Sequence, residues 1–594
     1  MTEPLIWGFG LSTQAEPLLQ RLLRAGVIAR VAQPPQGEGW RSHELSQFLG
    51  DTWSTGQALV AVGACGAITR LVAPLLQGKD SDPAVVVLDP AGRFAVPLLG
   101  GHGAGGEALA QRIAALLGGE AVLTGASAAA GQVALDAFGT PWGWRRGGGD
   151  WSDLIKRAQR QQPPALRHDH GNDRWRQLPG LQGWQADPNQ PPLVVSVEPG
   201  PGCRWHPPAL WLGIGCERGT SVSLLERLVE QGLAAQGLAA EAVAGLASAE
   251  RKADEPALLE LAERHGWPLR CFSSPELAAV EVPNPSAVVR EELGTASVAE
   301  AAALLAAGPG CALRQTKRIE RAQGQEQGAA TLAIAQARQQ WAPQRGQLHL
   351  IGSGPGSLEL LTPDARAALA ESCVWVGYGL YLDLLEPLRR PDQLRSDGTL
   401  TEERQRCQEA LELACQGLTV ALVSSGDSGI YGMAGLALEQ WMALAEADRP
   451  RFSVHPGISA LQLAAARAGA PLMHDFCTIS LSDRLTPWEV IERRLVAAAA
   501  GDFVVALYNP RSRGRDWQLA RAQELLLAGR PASTPVVLAR QLGRAEEAVS
   551  LHNLGNLPVE QVDMLTLVLV GNSTSRVEGG RMVTPRGYPG AELS

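Results

Sequence analysis

The chain has 594 residues, 45% of them apolar and 19% charged, which is too long for one hydrophobic core and implies about three or four domains. A formal net charge of -9, from 52 Lys and Arg against 61 Asp and Glu, argues against a general nucleic-acid binder, because neutralising phosphates requires a basic face. No apolar run approaches the roughly 20 residues of a bilayer span, the N-terminus lacks a basic signal region, and the nine scattered cysteines show no zinc-type spacing. The expectation is a cytoplasmic protein with reduced thiols, no membrane or nucleic-acid partner and no metal site.

Residues 1–140 alternate apolar strands (Leu5 to Trp7, Ala58 to Val62, Ala84 to Leu88) with helical stretches. This rhythm predicts an open α/β sheet with ligands beyond the C-terminal ends of its strands. Two glycine turns stand at such ends, at 62–70 and 99–107, and the amides of a helix N-terminus make either a place for a carboxylate. His102, the one imidazole there, is a candidate catalytic residue and equally a structural or solvent-facing histidine. In 141–205 the pattern decays into tryptophans set among Pro, Gln, Arg and Gly, which reads as an irregular middle segment; His168 and His170 are too few to argue a metal site. From 206 to 336 the α/β order resumes, with a buried strand feeding Gly213-Ile-Gly-Cys-Glu-Arg-Gly-Thr-Ser221 and a helix behind it. Lys252 and Lys317 flank its loops as possible carboxylate partners, although most loop lysines are simply solvated. A polar stretch at 337–347 reads as the linker to a last domain over 348–585.

The turns Gly63-Ala-Cys-Gly-Ala, Gly100-Gly-His-Gly-Ala-Gly-Gly, Gly213 to Ser221, Lys252-Ala-Asp-Glu-Pro and Gly294-Thr-Ala-Ser-Val-Ala-Glu-Ala-Ala, in that order, resemble the cobalt-precorrin-5A hydrolases over roughly residues 1–340. The resemblance implies opening of a δ-lactone on a corrin precursor with release of acetaldehyde. It identifies no catalytic residue of that half. An N-terminal half that only binds or carries the macrocycle remains the alternative.

The last domain opens on a strand running into Gly352-Ser-Gly-Pro-Gly356, with Thr362 and Pro363 suited to begin a helix. A dinucleotide fingerprint is excluded, since Ser357 stands where a third glycine is needed and no acidic residue follows about twenty positions on. Further strands deliver Ser424-Ser-Gly-Asp-Ser-Gly-Ile-Tyr-Gly432 and His455-Pro-Gly-Ile-Ser-Ala460, so that glycine-bearing loops end three strands and should meet at one crevice.

With Ser480-Leu-Ser-Asp-Arg-Leu-Thr-Pro-Trp488 and Tyr508-Asn-Pro-Arg-Ser512, this series resembles the class III tetrapyrrole methyltransferases, and within them the ring-contracting precorrin-3B C-17-methyltransferases. Ser428 departs from the usual proline, and Ser357-Leu-Glu from the common Asp-Pro-Glu. The resemblance implies a multidomain α/β protein whose last part is a two-lobed methyltransferase with S-adenosyl-L-methionine in the cleft, bound by Gly354, Pro355, Gly426, Asp427, Ile430, Tyr431, Ser459, Ala460, Ser482, Tyr508 and Asn509. It further implies a carboxylate-rich tetrapyrrole substrate, with cobalt present only as part of that substrate, and a homodimer formed through the methyltransferase domain.

Arg511, Arg513 and Arg515 follow a motif loop and could grip substrate carboxylates, or form a solvated face. Ring contraction needs proton transfers, for which His455, His474 and Asp475 are the nearest groups in sequence, each equally able to serve as a structural hydrogen-bonding residue. The expected activity is that of a bifunctional enzyme of corrin assembly. A class III methyltransferase with a different substrate is the other enzymatic reading.

Overall fold

A computed structural model describes residues 5–34, 39–53, 58–78, 81–101, 103–125, 131–160, 162–181, 191–285, 296–399, 402–512 and 514–588. Among the described residues there are five sheets of four strands or more and a small three-stranded one.

The first is six-stranded, ordered Arg30–Val31, Trp7–Gly10, Leu59–Val62, Val85–Leu88, Phe94–Leu99, Glu120–Ala121. It is parallel except where Phe94–Leu99 returns beside Val85–Leu88. Its two central strands are wholly buried apolar runs, as expected of strands covered on both faces.

The segment read as irregular holds a four-stranded sheet, ordered Arg145–Arg146, Cys203–His206, Leu193–Val195, Leu166–His168. Strands of two to four residues are too short to show a period of two. The tryptophans explain how so small a sheet is held. Trp142, Trp175 and Trp205 are fully buried, Phe138 stacks on Trp175 at 5.3 Å, and the Trp205 indole donates to Leu135 O at 3.0 Å. In His168 both ring nitrogens are taken, Nδ1 accepting from Trp175 and Nε2 donating to Gly171 O. Among the described residues no group of three or more His, Cys, Asp or Glu is placed to hold a metal.

The third sheet, ordered Leu269–Phe272, Val243–Ala249, Leu210–Cys216, Ala329–Gln336, Ala312–Arg321, has apolar cores on both faces.

The last 240 or so residues form two lobes. The first has an all-parallel sheet ordered Leu394–Gly398, Val374–Tyr378, Thr419–Ser424, Gln347–Gly352, Arg451–His455. The second has a mixed sheet ordered Phe476–Ser480, Val504–Tyr508, Thr566–Val570, Pro535–Arg540, Ala548–Asn553. The helix Pro363–Glu371 starts where its sequence says, with Pro363 at its first position and the Thr362 hydroxyl accepting from Ala365 N at 3.2 Å.

The N-terminal parts pack directly on the first lobe. Helix Gly106–Leu117 lies against helix Pro363–Glu371, with Ala367 in the core of the N-terminal sheet and Arg112 paired to Glu371 at 3.1 Å. One continuous core joins the middle-segment tryptophans to Leu348, Val374, Val420 and Leu422. Polar ties cross the same boundary: buried Gln340 donates to Trp142 O and Gln416 O, and Asn172 to Gln416 Oε1.

Candidate active site

The three glycine-bearing loops meet backbone to backbone. Gly354 and Gly426 form an isolated antiparallel bridge, Gly354 N donating to Gly426 O at 3.1 Å and Gly426 N to Gly354 O at 2.7 Å. A Cβ on Gly457 would lie 2.1 Å from Gly426 O and 2.5 Å from Gly352 O, so no other residue fits that contact. Gly354 and Gly426 also need positive φ, 71° and 65°. Asp427 pins the junction, accepting from Gly429 N at 2.9 Å and Gly457 N at 3.1 Å.

Across from these loops the second lobe closes a cleft of about 880 Å³. Pro355, Gly426, Asp427, Ile430, Tyr431, Ser459, Ala460, Tyr508 and Asn509, all expected at the methyl-donor site, line it. Gly354 stands behind the lining in the bridge to Gly426. Ser482 is one step removed: its N–H donates to Ser480 Oγ, the same oxygen that accepts from Asn509 Nδ2 at 3.0 Å.

Helix Ala460–Ala468 enters the cleft at its N-terminus. Ser459 and Gln462 form a capping box there, and the hydroxyl of the half-buried Tyr508 accepts from Leu461 N at 3.2 Å. Burial raises the Tyr508 pKa, which keeps the phenol neutral. Tyr431 lies 5.1 Å from the Tyr508 ring, centroid to centroid.

The described chain has four non-glycine residues at positive φ, and three of them, Tyr431 at 54°, Asn509 at 52° and Gln541 at 49°, line this cleft. Such backbone strain collects where a ligand is held.

Sequence reasoning missed the far wall, made by Tyr381, Gln541, Leu542, Arg544 and 564–567. A signal existed. Strand Pro535–Arg540 also ends in a glycine turn, and a Cβ on Gly543 would lie only 3.1 Å from Pro355 Cγ.

The proposed proton-transfer groups lie outside the cleft lining. His455 Nδ1 sits 2.7 Å from Asp364 Oδ2, and its Nε2 lies 2.9 Å from Nδ1 of His349. Since Asp364 accepts from Nδ1–H, a neutral His455 accepts at Nε2 from His349 Nδ1–H. His474 pairs with the exposed Asp475, at 3.9 Å.

Of the arginines, Arg511 is held by Glu560 at 2.7 Å and Val559 O, and Arg515 is buried with its guanidinium donating to Asn509 O at 2.7 Å. Arg515 thus braces the strained Asn509. Arg513 lies outside the described residues, as does His102. Lys252 pairs with buried Glu255 at 3.3 Å. At the 99–107 turn the Gly106 and Glu107 amides are already used, donating to Gly100 O and Gly101 O, which leaves little for an anion.

Comparisons with known proteins match separate stretches of the chain. The family described as tetrapyrrole (corrin/porphyrin) methylases matches residues 347–558, that described as cobalamin synthesis G C-terminus matches 210–335, and that described as cobalamin synthesis G N-terminal matches 47–128. A probable cobalt-factor III C(17)-methyltransferase of Salmonella typhimurium is 50% identical over 243 residues, covering 41% of this chain and 99% of that protein. A precorrin-3B C(17)-methyltransferase of a Sinorhizobium species is 44% identical over 252 residues, covering 41% of this chain and 98% of that protein. The crystal structure of the methyltransferase CobJ is 41% identical over 40% of this chain and all of that one, with a TM-score of 0.39.

The chain belongs to the tetrapyrrole methylases and carries the cobalamin synthesis G segments ahead of them. It is a bifunctional enzyme of cobalamin biosynthesis, an S-adenosylmethionine-dependent methyltransferase joined to a hydrolase. No helix among the described residues is long and apolar enough to cross a membrane.

Proposed function

We propose that the cleft between the two lobes binds S-adenosyl-L-methionine and a carboxylate-rich tetrapyrrole, and that the methyl group goes to C-17 of (cobalt-)precorrin-3 with contraction of the ring. Cobalt enters only as part of that substrate. The observation that carries this reading is the meeting of the loops of Gly352, Gly426 and Gly457 beside the left-handed Tyr431, Asn509 and Gln541. The residues fit the donor: glycine backbone allows close approach, Tyr431 and Tyr508 offer aromatic faces, and Ser459 with Asp427 offers polar atoms.

Bound there, the donor supplies an electrophilic sulfonium methyl. The displacement is in line, so the protein's work is to orient the two reactants and exclude water, which is worth roughly 7 to 11 kcal/mol without a dedicated acid or base. The bridge between Gly354 and Gly426, the Tyr508 cap and the Arg515 brace each hold part of that geometry.

The hydrolase activity is proposed to open the δ-lactone of cobalt-precorrin-5A and release acetaldehyde, within residues 1–140 and 206–336 and the segment between them. The enzyme is proposed to act in the cytoplasm as a homodimer through residues 348–585. Anaerobic incubation of the full chain with cobalt-precorrin-3 and S-adenosylmethionine should give a product heavier by one methyl. No gain of that mass would overturn the substrate assignment, and sedimentation as a monomer would overturn the dimer.

A further inference from the structure

Arg511 and Arg515 are spent on Glu560 and on the Asn509 carbonyl, and the basic residue that the cleft between the two lobes presents among its described lining is Arg544. The acids around it are engaged elsewhere. Glu546 accepts from Gln541 Nε2 at 2.9 Å, and Glu547 accepts from Gly543 N and from Arg467 Nε, both at 2.6 Å. Asp427, the acid of the same lining, takes the amides of Gly429 and Gly457. Among the described residues the half-buried Arg544 guanidinium has no hydrogen bond and no ion pair. A cation drawn partly out of water without a partner costs free energy that an incoming anion returns.

The Arg544 stem is nevertheless held. It crosses the glycine loop of the first lobe at Gly356, where a Cβ would lie 2.9 Å from Arg544 Cγ and 3.2 Å from Gly543 O, and where φ is 144°. From the first lobe, Tyr381 of helix Gly379–Leu385 lines the same cleft. Burial raises the Tyr381 pKa, and Arg544 is the foremost charge acting against that rise. The phenol stays neutral with a proton to donate, and among the described residues its hydroxyl has no hydrogen-bond partner. Two unengaged donors, one from each lobe, thus line one space.

We propose that Arg544 and Tyr381 form a clamp for one side-chain carboxylate of the tetrapyrrole and so set which macrocycles the cleft accepts. The inference rests on the reading of this cleft as the site of methyl transfer. A guanidinium presents parallel N–H groups to both oxygens of a carboxylate, and the phenol O–H adds a bond to one of them. The donor's amino-acid end also has a carboxylate, but an ammonium beside it cancels the charge. An acid arm of the macrocycle is a net anion, and a lone guanidinium is compensated by a net anion. Because the two groups belong to different lobes, the bound arm also ties the lobes together across the opening.

The test is the steady-state kinetics of methyl transfer by the full chain, with calorimetric titration of S-adenosylhomocysteine. Arg544→Gln keeps the Cγ over Gly356 and removes the charge. Its KM for cobalt-precorrin-3 should rise about 10- to 150-fold, the loss expected for a hydrogen bond to a charged group. Its kcat should stay within about threefold and its affinity for S-adenosylhomocysteine within about twofold, which also reports that the variant is folded. Arg544→Lys, with the charge but not the fork, should fall between. Tyr381→Phe should raise KM about 2- to 10-fold. The double variant should raise KM by less than the product of the two single effects, since both groups hold one carboxylate. The wild-type KM should increase with salt, and less steeply in Arg544→Gln. A KM for Arg544→Gln within about twofold of wild type would overturn the clamp. Weakened S-adenosylhomocysteine binding with an unchanged KM for the tetrapyrrole would overturn the macrocycle as the source of the carboxylate. A wild-type chain that binds S-adenosylhomocysteine but adds no methyl to cobalt-precorrin-3 would overturn the reading of the cleft itself, and the clamp with it.

Discussion

The contact between Gly457, Gly426 and Gly352 makes the sharpest demand in the proposed methyl-donor site, so Gly457→Ala is the substitution that tests it most directly. The added methyl would lie 2.1 Å from Gly426 O, 2.5 Å from Gly352 O and 2.7 Å from Gly352 C. All three are backbone atoms of loops fixed by the bridge between Gly354 and Gly426, so no side chain can swing aside. Overpacking of this kind costs about 1 to 3 kcal/mol. If the loops move apart to accept the methyl, that cost falls on the binding-competent geometry, and affinity for S-adenosylhomocysteine should drop roughly 5- to 150-fold. Gly435→Ala is the control, since a Cβ there meets nothing within 4 Å and the residue is helical. It should leave affinity unchanged and raise stability by up to about 1 kcal/mol. Titration calorimetry with S-adenosylhomocysteine on both variants decides the matter. Binding by Gly457→Ala within about twofold of wild type would refute the claim that these loops form a rigid wall of the site.

Other predictions follow from single contacts. Tyr508→Phe removes the acceptor of Leu461 N and leaves a first-turn amide without its cap, costing about 1 kcal/mol, and should weaken S-adenosylhomocysteine binding several-fold with little change in fold as read by circular dichroism. Arg515→Lys keeps the charge but not the fork that holds Asn509 O and Ser512, and methyl transfer should fall more than in Arg511→Lys, whose partners are exposed Glu560 and Val559 O. His349 gives a pH dependence. Burial, with smaller contributions from His455 and Arg112, lowers its pKa from 6.5 to about 3. Between those values the unfolded chain binds the proton and the folded chain does not, so this contribution is whole above about pH 6.5 and is lost as pH falls, by about 2 kcal/mol at pH 5. Burial lowers His168, His170 and His206 too, which adds to the same slope. Denaturant midpoints from pH 7.5 to 5 should fall less steeply in His349→Leu, and an unchanged slope would count against the neutral buried imidazole.

Much of the lining of the cleft between the two lobes was readable because its requirements are local. A loop that must approach another backbone needs glycine, a helix that points at a ligand needs a cap, and Gly352–Gly356, Gly426 and Ser459–Ala460 carry those requirements in a few adjacent residues. Helix Pro363–Glu371 could be placed for the same reason. The other wall was harder to read, and the glycine turn after strand Pro535–Arg540 marks one strand end without saying what it faces. Gln541, Leu542, Arg544 and 564–567 come from the ends of two strands whose pairing is set by the sheet, and nothing in their own sequence says which loop they face. The arginines at 511 and 515 show the same limit. Sequence offers three cations beside a motif, whereas packing spends Arg511 on Glu560 and Arg515 on the Asn509 carbonyl. The middle segment was obscured by strands of two to four residues, in which burial of Trp142, Trp175 and Trp205 sets the structure rather than any periodic pattern.

That tryptophan core bears on how the two activities are joined. A tether alone would raise local concentration and leave each part to fold by itself. Here Trp142, Trp144, Trp175 and Trp205 share one apolar cluster with Leu348, Val374, Val420 and Leu422, and buried Gln340 uses its amide to hold Trp142 O and Gln416 O together. Residues on either side of the 337–347 stretch therefore cannot lose their packing independently. The third sheet differs, with separate cores on its two faces. Calorimetry of the full chain should show the middle segment and the first methyltransferase lobe unfolding in one transition, with residues 210–336 free to melt in another. Gln340→Leu leaves two buried carbonyls without their donor, at about 1 to 3 kcal/mol each, and should lower the shared transition while leaving the other in place. If the tryptophan fluorescence of the middle segment were lost before S-adenosylhomocysteine binding, the common core would not be one cooperative unit, and the linker would be a tether after all.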